Sequence, residues 1–186
     1  MVETPGKTFQ SPCTVGRYSP THGATACLRA SPGYYVDSTS ATEQTPCPPG
    51  QYSSIEGSIS CSSTSPGQYT SVDASTLPET CQPGSYQPNS AGTSCILAPA
   101  GYYVSTAGST SFQPCLSGRY QPLEGSIDCE VTQPGYYTSG VGSTEAIACS
   151  PGSYQPNSGA ETCLSAIPGS YVPNEGSIDY VICASG

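Results

Sequence analysis

The chain has 186 residues, a formal net charge of −9 and only four basic side chains, Lys7, Arg17, Arg29 and Arg119. That argues against binding nucleic acid or anionic membrane surfaces, both of which need basic patches. Leu, Ile, Val and Phe together supply 25 of the 186 residues, about 13%, against 21 Gly and 19 Pro, which is too little apolar material to fix a fold by burial alone. Eleven cysteines are the remaining means, and disulfides persist in an extracellular, cell-surface or secretory setting.

Residues 1–12 form an irregular lead. It has no basic segment followed by an apolar run, so no signal peptide is expected in this chain, which reads as the mature form or a fragment of a secreted array. No apolar stretch is long enough for membrane insertion. From Cys13 onward the cysteines fall at 13, 27, 47, 61, 81, 95, 115, 129, 149, 163 and 183, with gaps alternating 14 and 20. A fixed period of 34 residues marks a repeat array. It divides the chain into repeats 13–46, 47–80, 81–114, 115–148 and 149–182, with 183–186 opening a sixth.

A period of 17 lies beneath it. Gly-x-Tyr begins at Gly16, Gly33, Gly50, Gly67, Gly84, Gly101, Gly118, Gly135, Gly152 and Gly169. Pro usually precedes the glycine, and Pro-Gly is the type II turn pair: Pro presets its own φ, and Gly accepts the positive φ that follows. The next residues, such as YYV or QYT, favour a strand. Seven residues after each glycine sits Gly, Ala or Ser (Gly23, Ser40, Gly57, Ala74 and so on), which reads as a second turn. Each unit is therefore expected to be turn, strand, turn, strand, and the absence of any 3.6-residue apolar period predicts no helix.

The tyrosines of this motif form an unbroken column: Tyr18, Tyr35, Tyr52, Tyr69, Tyr86, Tyr103, Tyr120, Tyr137, Tyr154 and Tyr171. Their rings are expected to be the core, in place of the missing Leu and Ile; the alternative is an exposed aromatic stripe that grips glycans or a partner.

Aligned on the glycine, cysteines occupy the positions three before and eleven after it in every second unit. The intervening units hold Ala30, Thr64, Ala98, Thr132 and Ala166 at the first position and Gln44, Pro78, Phe112, Ala146 and Tyr180 at the second. The two columns appear and vanish together, as partners should. The expected disulfides are therefore Cys13–Cys27, Cys47–Cys61, Cys81–Cys95, Cys115–Cys129 and Cys149–Cys163; the competing register would join Cys27 to Cys47 and so on along the chain. Cys183 is left over, at the first cysteine position of a sixth unit whose glycine would be Gly186. Its partner is expected further along a longer array, or else on another chain.

Catalysis needs unlike groups brought together, and this chain repeats the same ones; no catalytic, cofactor-binding or metal-binding residue is expected. The single histidine, His22, reads as a solvated loop residue. Zinc sites want close cysteine pairs, and the closest here are 14 apart. Asp37, Glu56, Asp73, Glu124, Asp128, Glu175 and Asp179 recur near the second turn, too thinly for a calcium site, and read as solvated turn acids. No N-glycosylation sequon occurs, and the Ser/Thr/Pro richness is compatible with O-glycans on compositional grounds alone.

Segments such as Cys47-Pro48-Pro49-Gly50-Gln51-Tyr52 through Cys61, and Cys149-Ser150-Pro151-Gly152-Ser153-Tyr154 through Cys163, resemble the ephrin-receptor-like cysteine-rich repeats. They are also similar to the first submodule of tumour-necrosis-factor-receptor cysteine-rich domains. The resemblance covers about residues 13 to 186 and implies an elongated, non-catalytic extracellular module held by disulfides. In this chain every second unit lacks the cysteines, and the Cys-x-x-Cys junction is absent.

The fold expected is a small disulfide-rich all-β protein: an elongated linear array of short β-hairpin units with a 17-residue half-repeat and a 34-residue repeat. The function expected is that of a secreted or cell-surface structural protein that assembles with copies of itself into a filament, fibre or stalk. The alternative is a receptor or adhesin ectodomain that binds a protein or glycan.

Overall fold

A computed structural model describes residues 11–21 and 24–184. The expectations for residues 1–10, His22, Gly23 and Gly186 lie outside the described residues. Among the described residues there is no helix, and twenty two-residue strands pair into ten antiparallel hairpins. The first joins Arg17–Tyr18 to Leu28–Arg29, and each later hairpin repeats it at the 17-residue step, so the fold is all-β and disulfide-rich.

The Pro-Gly turn forms as its chemistry requires. The amide of the residue after the glycine donates to the carbonyl three positions back, as in Tyr34 to Ser31 at 3.0 Å and Ser153 to Ser150 at 3.0 Å. The glycine at the third turn position has φ of +87° at Gly33 and +89° at Gly152, the value a type II turn demands. The second turn also needs a positive φ, which Gly supplies in most units, while Ser40, Ala74 and Ala91 adopt φ of 56° to 60°. A serine just after that turn closes it: the hydroxyls of Ser75, Ser109 and Ser177 donate to the carbonyls of Val72, Thr106 and Asn174 at 2.7–2.8 Å.

The described residues group into two compact bodies. One runs up to Glu79 and includes Asn89–Ser94; the other comprises Thr80–Pro88 and the residues from Cys95 onward. In the first, successive units are tied by backbone bonds that recur at one phase. Gly16, Gly33 and Gly50 donate to the carbonyls of Val36, Ser53 and Thr70 in the following unit at 2.7–2.9 Å. The second turn reaches back: Ser40, Gly57 and Ala74 donate to the carbonyls of Cys13, Ala30 and Cys47 at 2.7–2.8 Å. The second body repeats both ties. Gly101, Gly118 and Gly135 donate to Gln121, Thr138 and Gln155, and Gly125, Gly142 and Gly159 donate to Ala98, Cys115 and Thr132.

The core is where the column of tyrosines is not. The buried positions are two other columns. One is the position three before the glycine: Cys47, Cys81, Cys115 and Cys149 alternate there with Ala30, Thr64, Ala98 and Thr132, all fully buried. The other is the position three after it: Val36, Ser53, Thr70, Gln87, Val104, Gln121, Thr138, Gln155 and Val172 are buried in turn. The expected tyrosine core is thus corrected. The column rings are half-buried, and Tyr171 is 49% exposed. Adjacent hairpins lie close enough to exchange backbone hydrogen bonds, and the column three before the glycine holds only the small side chains Ala, Thr and Cys.

Candidate functional site

The recurring chemistry lies in the staples and in the seats between units. The disulfides join Cys13–Cys27, Cys47–Cys61, Cys81–Cys95, Cys115–Cys129 and Cys149–Cys163, with Cα atoms 5.7 or 5.8 Å apart. Each closes a loop of 14 positions, worth about 3 kcal/mol of restricted unfolded-chain entropy. Among the described residues the free cysteine is Cys183, which is exposed.

The units that lack a staple fill its place in other ways. Gln44 stands where a second cysteine would be, and its Oε1 accepts from the Ser31 amide at 2.7 Å. Phe112 occupies the same position four units on and meets Tyr86 and Tyr102 edge-on, with ring centroids 5.2 and 4.8 Å apart. Tyr180 meets Tyr154 edge-on at 5.3 Å. Aromatic edge contacts of this kind contribute about 0.5–1.5 kcal/mol beyond the area they bury.

The invariant glycine has a second duty that composition alone does not reveal. A Cβ built on Gly16, Gly33 or Gly50 would overlap the carbonyl oxygen of Gly57, Ala74 or Ala91, the second turn two units further on. The same holds for Gly84, Gly101, Gly118 and Gly135 against Gly125, Gly142, Gly159 and Gly176. Gly152 and Gly169 keep the positive φ but have no atom within 4 Å of that Cβ. The glycine is therefore a seat for another unit's backbone as well as a turn residue.

The seated turn is covered by a side chain from the hairpin. Leu97 and Val131 lie against Gly125 and Gly159. The cross-strand partner of Tyr102 is Pro114, and there the Tyr102 ring lies against Gly142 instead. Tyr136, paired with Ala148, does the same at Gly176. In the Tyr102–Pro114 and Tyr136–Ala148 pairs the covering ring faces a small or flat partner, a compensation visible only once the register is known.

Buried polar groups are mostly satisfied within the repeat. Gln121 donates to the Asp128 carbonyl at 2.9 Å and accepts from the Leu123 amide at 3.2 Å, and Gln155 repeats this with Thr162 and Asn157. Thr132 Oγ1 accepts from the Ala160 amide at 3.1 Å, whereas the hydroxyl of Thr64, at the same phase, is buried without a partner.

The column tyrosines face their cross-strand neighbours. Two of these are carboxylates. The Tyr69 hydroxyl donates to Glu79 Oε2 at 2.7 Å, and that bond, with desolvation and the negative charge adding to it, holds the phenol above its ordinary value. Tyr120 is raised in the same way by its hydrogen bond to Glu130. The recurring acids Asp37, Glu56, Asp73, Glu124, Asp128, Glu175 and Asp179 are all exposed. Arg119 approaches Asp128 at 3.9 Å across open surface, an arrangement worth little.

A groove of about 720 Å³ beside the first hairpin is lined by residues that include Ser11, Arg17, Thr21, Thr25 and Thr42, with Arg17 the one charged group among its described lining. Among the described residues no three His, Cys, Asp or Glu side chains gather as a metal site would need, and no helix is long and apolar enough to cross a membrane. No protein-family model and no curated protein matches the chain.

Proposed function

We propose that the protein is a non-catalytic structural component outside the cell, a subunit or segment of a surface filament, fibre or stalk. The observation that carries this reading is the repetition of one set of backbone seats. The same glycine receives the same second turn at seven places among the described residues, three in the first body and four in the second. A device built to recognise one ligand breaks its repeat somewhere; a device built for length copies it, because each unit then needs only its neighbours. Five disulfides suit an oxidising compartment. Exposed Ile55, Ile59, Leu123 and Ile127 recur 68 residues apart and supply apolar surface for contacts between copies.

Negative-stain electron microscopy of native material tests the proposal. Filaments or fibres built from this chain are expected. Dispersed particles that stay apart at all concentrations would contradict it and favour a receptor or adhesin ectodomain.

A further inference from the structure

Tyr180 is the one tyrosine that stands at a staple position. In the unit beginning at Gly169 it occupies the place that Cys163 holds in the unit before. Its ring meets Tyr154 with centroids 5.3 Å apart and planes at 68°, and both rings are half-buried, so each keeps a solvent-facing side. The contact ties this unit to the one before it, in a chain whose covalent closures are oxidative. Lys7 is the single lysine, which leaves amine-derived cross-links no partner in these units.

We propose that Tyr154 and Tyr180 form an oxidative cross-linking site, at which a haem peroxidase with hydrogen peroxide joins the two rings as dityrosine. Each phenol gives one electron to the peroxidase and its hydroxyl proton to solvent. The two radicals couple through the ring carbons adjacent to the hydroxyls, forming one carbon–carbon bond. The hydrogens on those carbons then move to the oxygens, and both phenols are restored. In sum, two tyrosines and one hydrogen peroxide give one dityrosine and two waters; the peroxide is reduced by the two electrons the rings lose.

Proximity selects this pair. Rings already in contact couple as an intramolecular reaction, at an effective concentration that no diffusing pair reaches. The fold carries its own control at Phe112, which meets Tyr86 in the same edge-on manner at 5.2 Å but lacks the hydroxyl the chemistry needs.

The test treats dilute protein, with Cys183 alkylated so that its thiol does not consume the radicals, with a haem peroxidase and hydrogen peroxide. Dityrosine fluorescence and mass spectrometry of proteolytic peptides are the readouts. A dominant link between Tyr154 and Tyr180 at monomer mass is expected. Y180F should remove that peptide and lower the intramolecular yield several-fold, and F112Y should add a second link at Tyr86 or Tyr102. Links scattered over the tyrosines at large, links only between copies, or a yield unchanged by Y180F would each overturn the proposal.

Discussion

The glycine that opens each unit is held by two constraints of different strength, and the structure separates them. Gly118 has φ of +76° and no room for a Cβ, whereas Gly152 has φ of +89° and open space. A left-handed conformation costs an L residue about 1–2 kcal/mol, and forcing a methyl into packed backbone about 1–3 kcal/mol more. G118A is therefore expected to destabilise by about 2–5 kcal/mol and G152A by only the first 1–2, read locally from amide hydrogen exchange in that unit. Equal costs would remove the seating argument. Thr64 makes the opposite case: its buried hydroxyl has no partner, so T64V is expected to stabilise by about 1 kcal/mol. T132V, which removes the acceptor of the Ala160 amide, should destabilise. The tyrosine phenols add a dependence on pH. Tyr69 and Tyr120 keep their protons above the ordinary value, so the folded state binds more protons than the unfolded one there. Their contribution is present below the unfolded value of 10.0 and is lost as pH rises through the folded one. In an NMR titration, E79Q should bring Tyr69 back towards its ordinary value and leave Tyr120 unmoved. The glycine column was legible as a turn from the Pro-Gly pair, but its service as a seat was not, because the second turn it receives lies 41 residues away.

At the scale of the hairpin, stapled and unstapled units solve one problem with different chemistry. Removing a staple with C81A/C95A places alanine at a buried position where Ala30 and Ala98 already fit, so the loss should come almost wholly from the loop entropy, about 3 kcal/mol. The measurement is the shift in unfolding free energy with the other disulfides intact; a shift below about 1 kcal/mol would mean the entropic account of the staples is wrong. The turn–strand–turn–strand order was legible because each element depends on local chemistry: Pro-Gly, the short aromatic strand and the second small residue. The core was not. Half-buried tyrosines and buried Thr, Ser and Gln run against the ordinary ranking of which residues go inside. The hint available was the constant phase of Val36, Val104 and Val172 with Thr70 and Thr138, a column as regular as the tyrosines but chemically mixed. Mixed polar residues serve there because the interior is lined by backbone donors and acceptors, as the glutamine bonds to Asp128 and Thr162 show.

Across the whole chain, the claim from which the rest follows is that one 17-residue phase runs unbroken and that staples close within alternate units, never between them. The phase was readable because cysteine, glycine and tyrosine recur together. What could not be read was how units fit, since that rests on carbonyl and amide positions that side-chain identity does not encode. Peptide mapping of the native protein without reduction tests the claim most directly. Five linked pairs are predicted, each with its cysteines 14 positions apart. A linked fragment carrying Cys27 with Cys47, or any other pair across the longer gap, would contradict it.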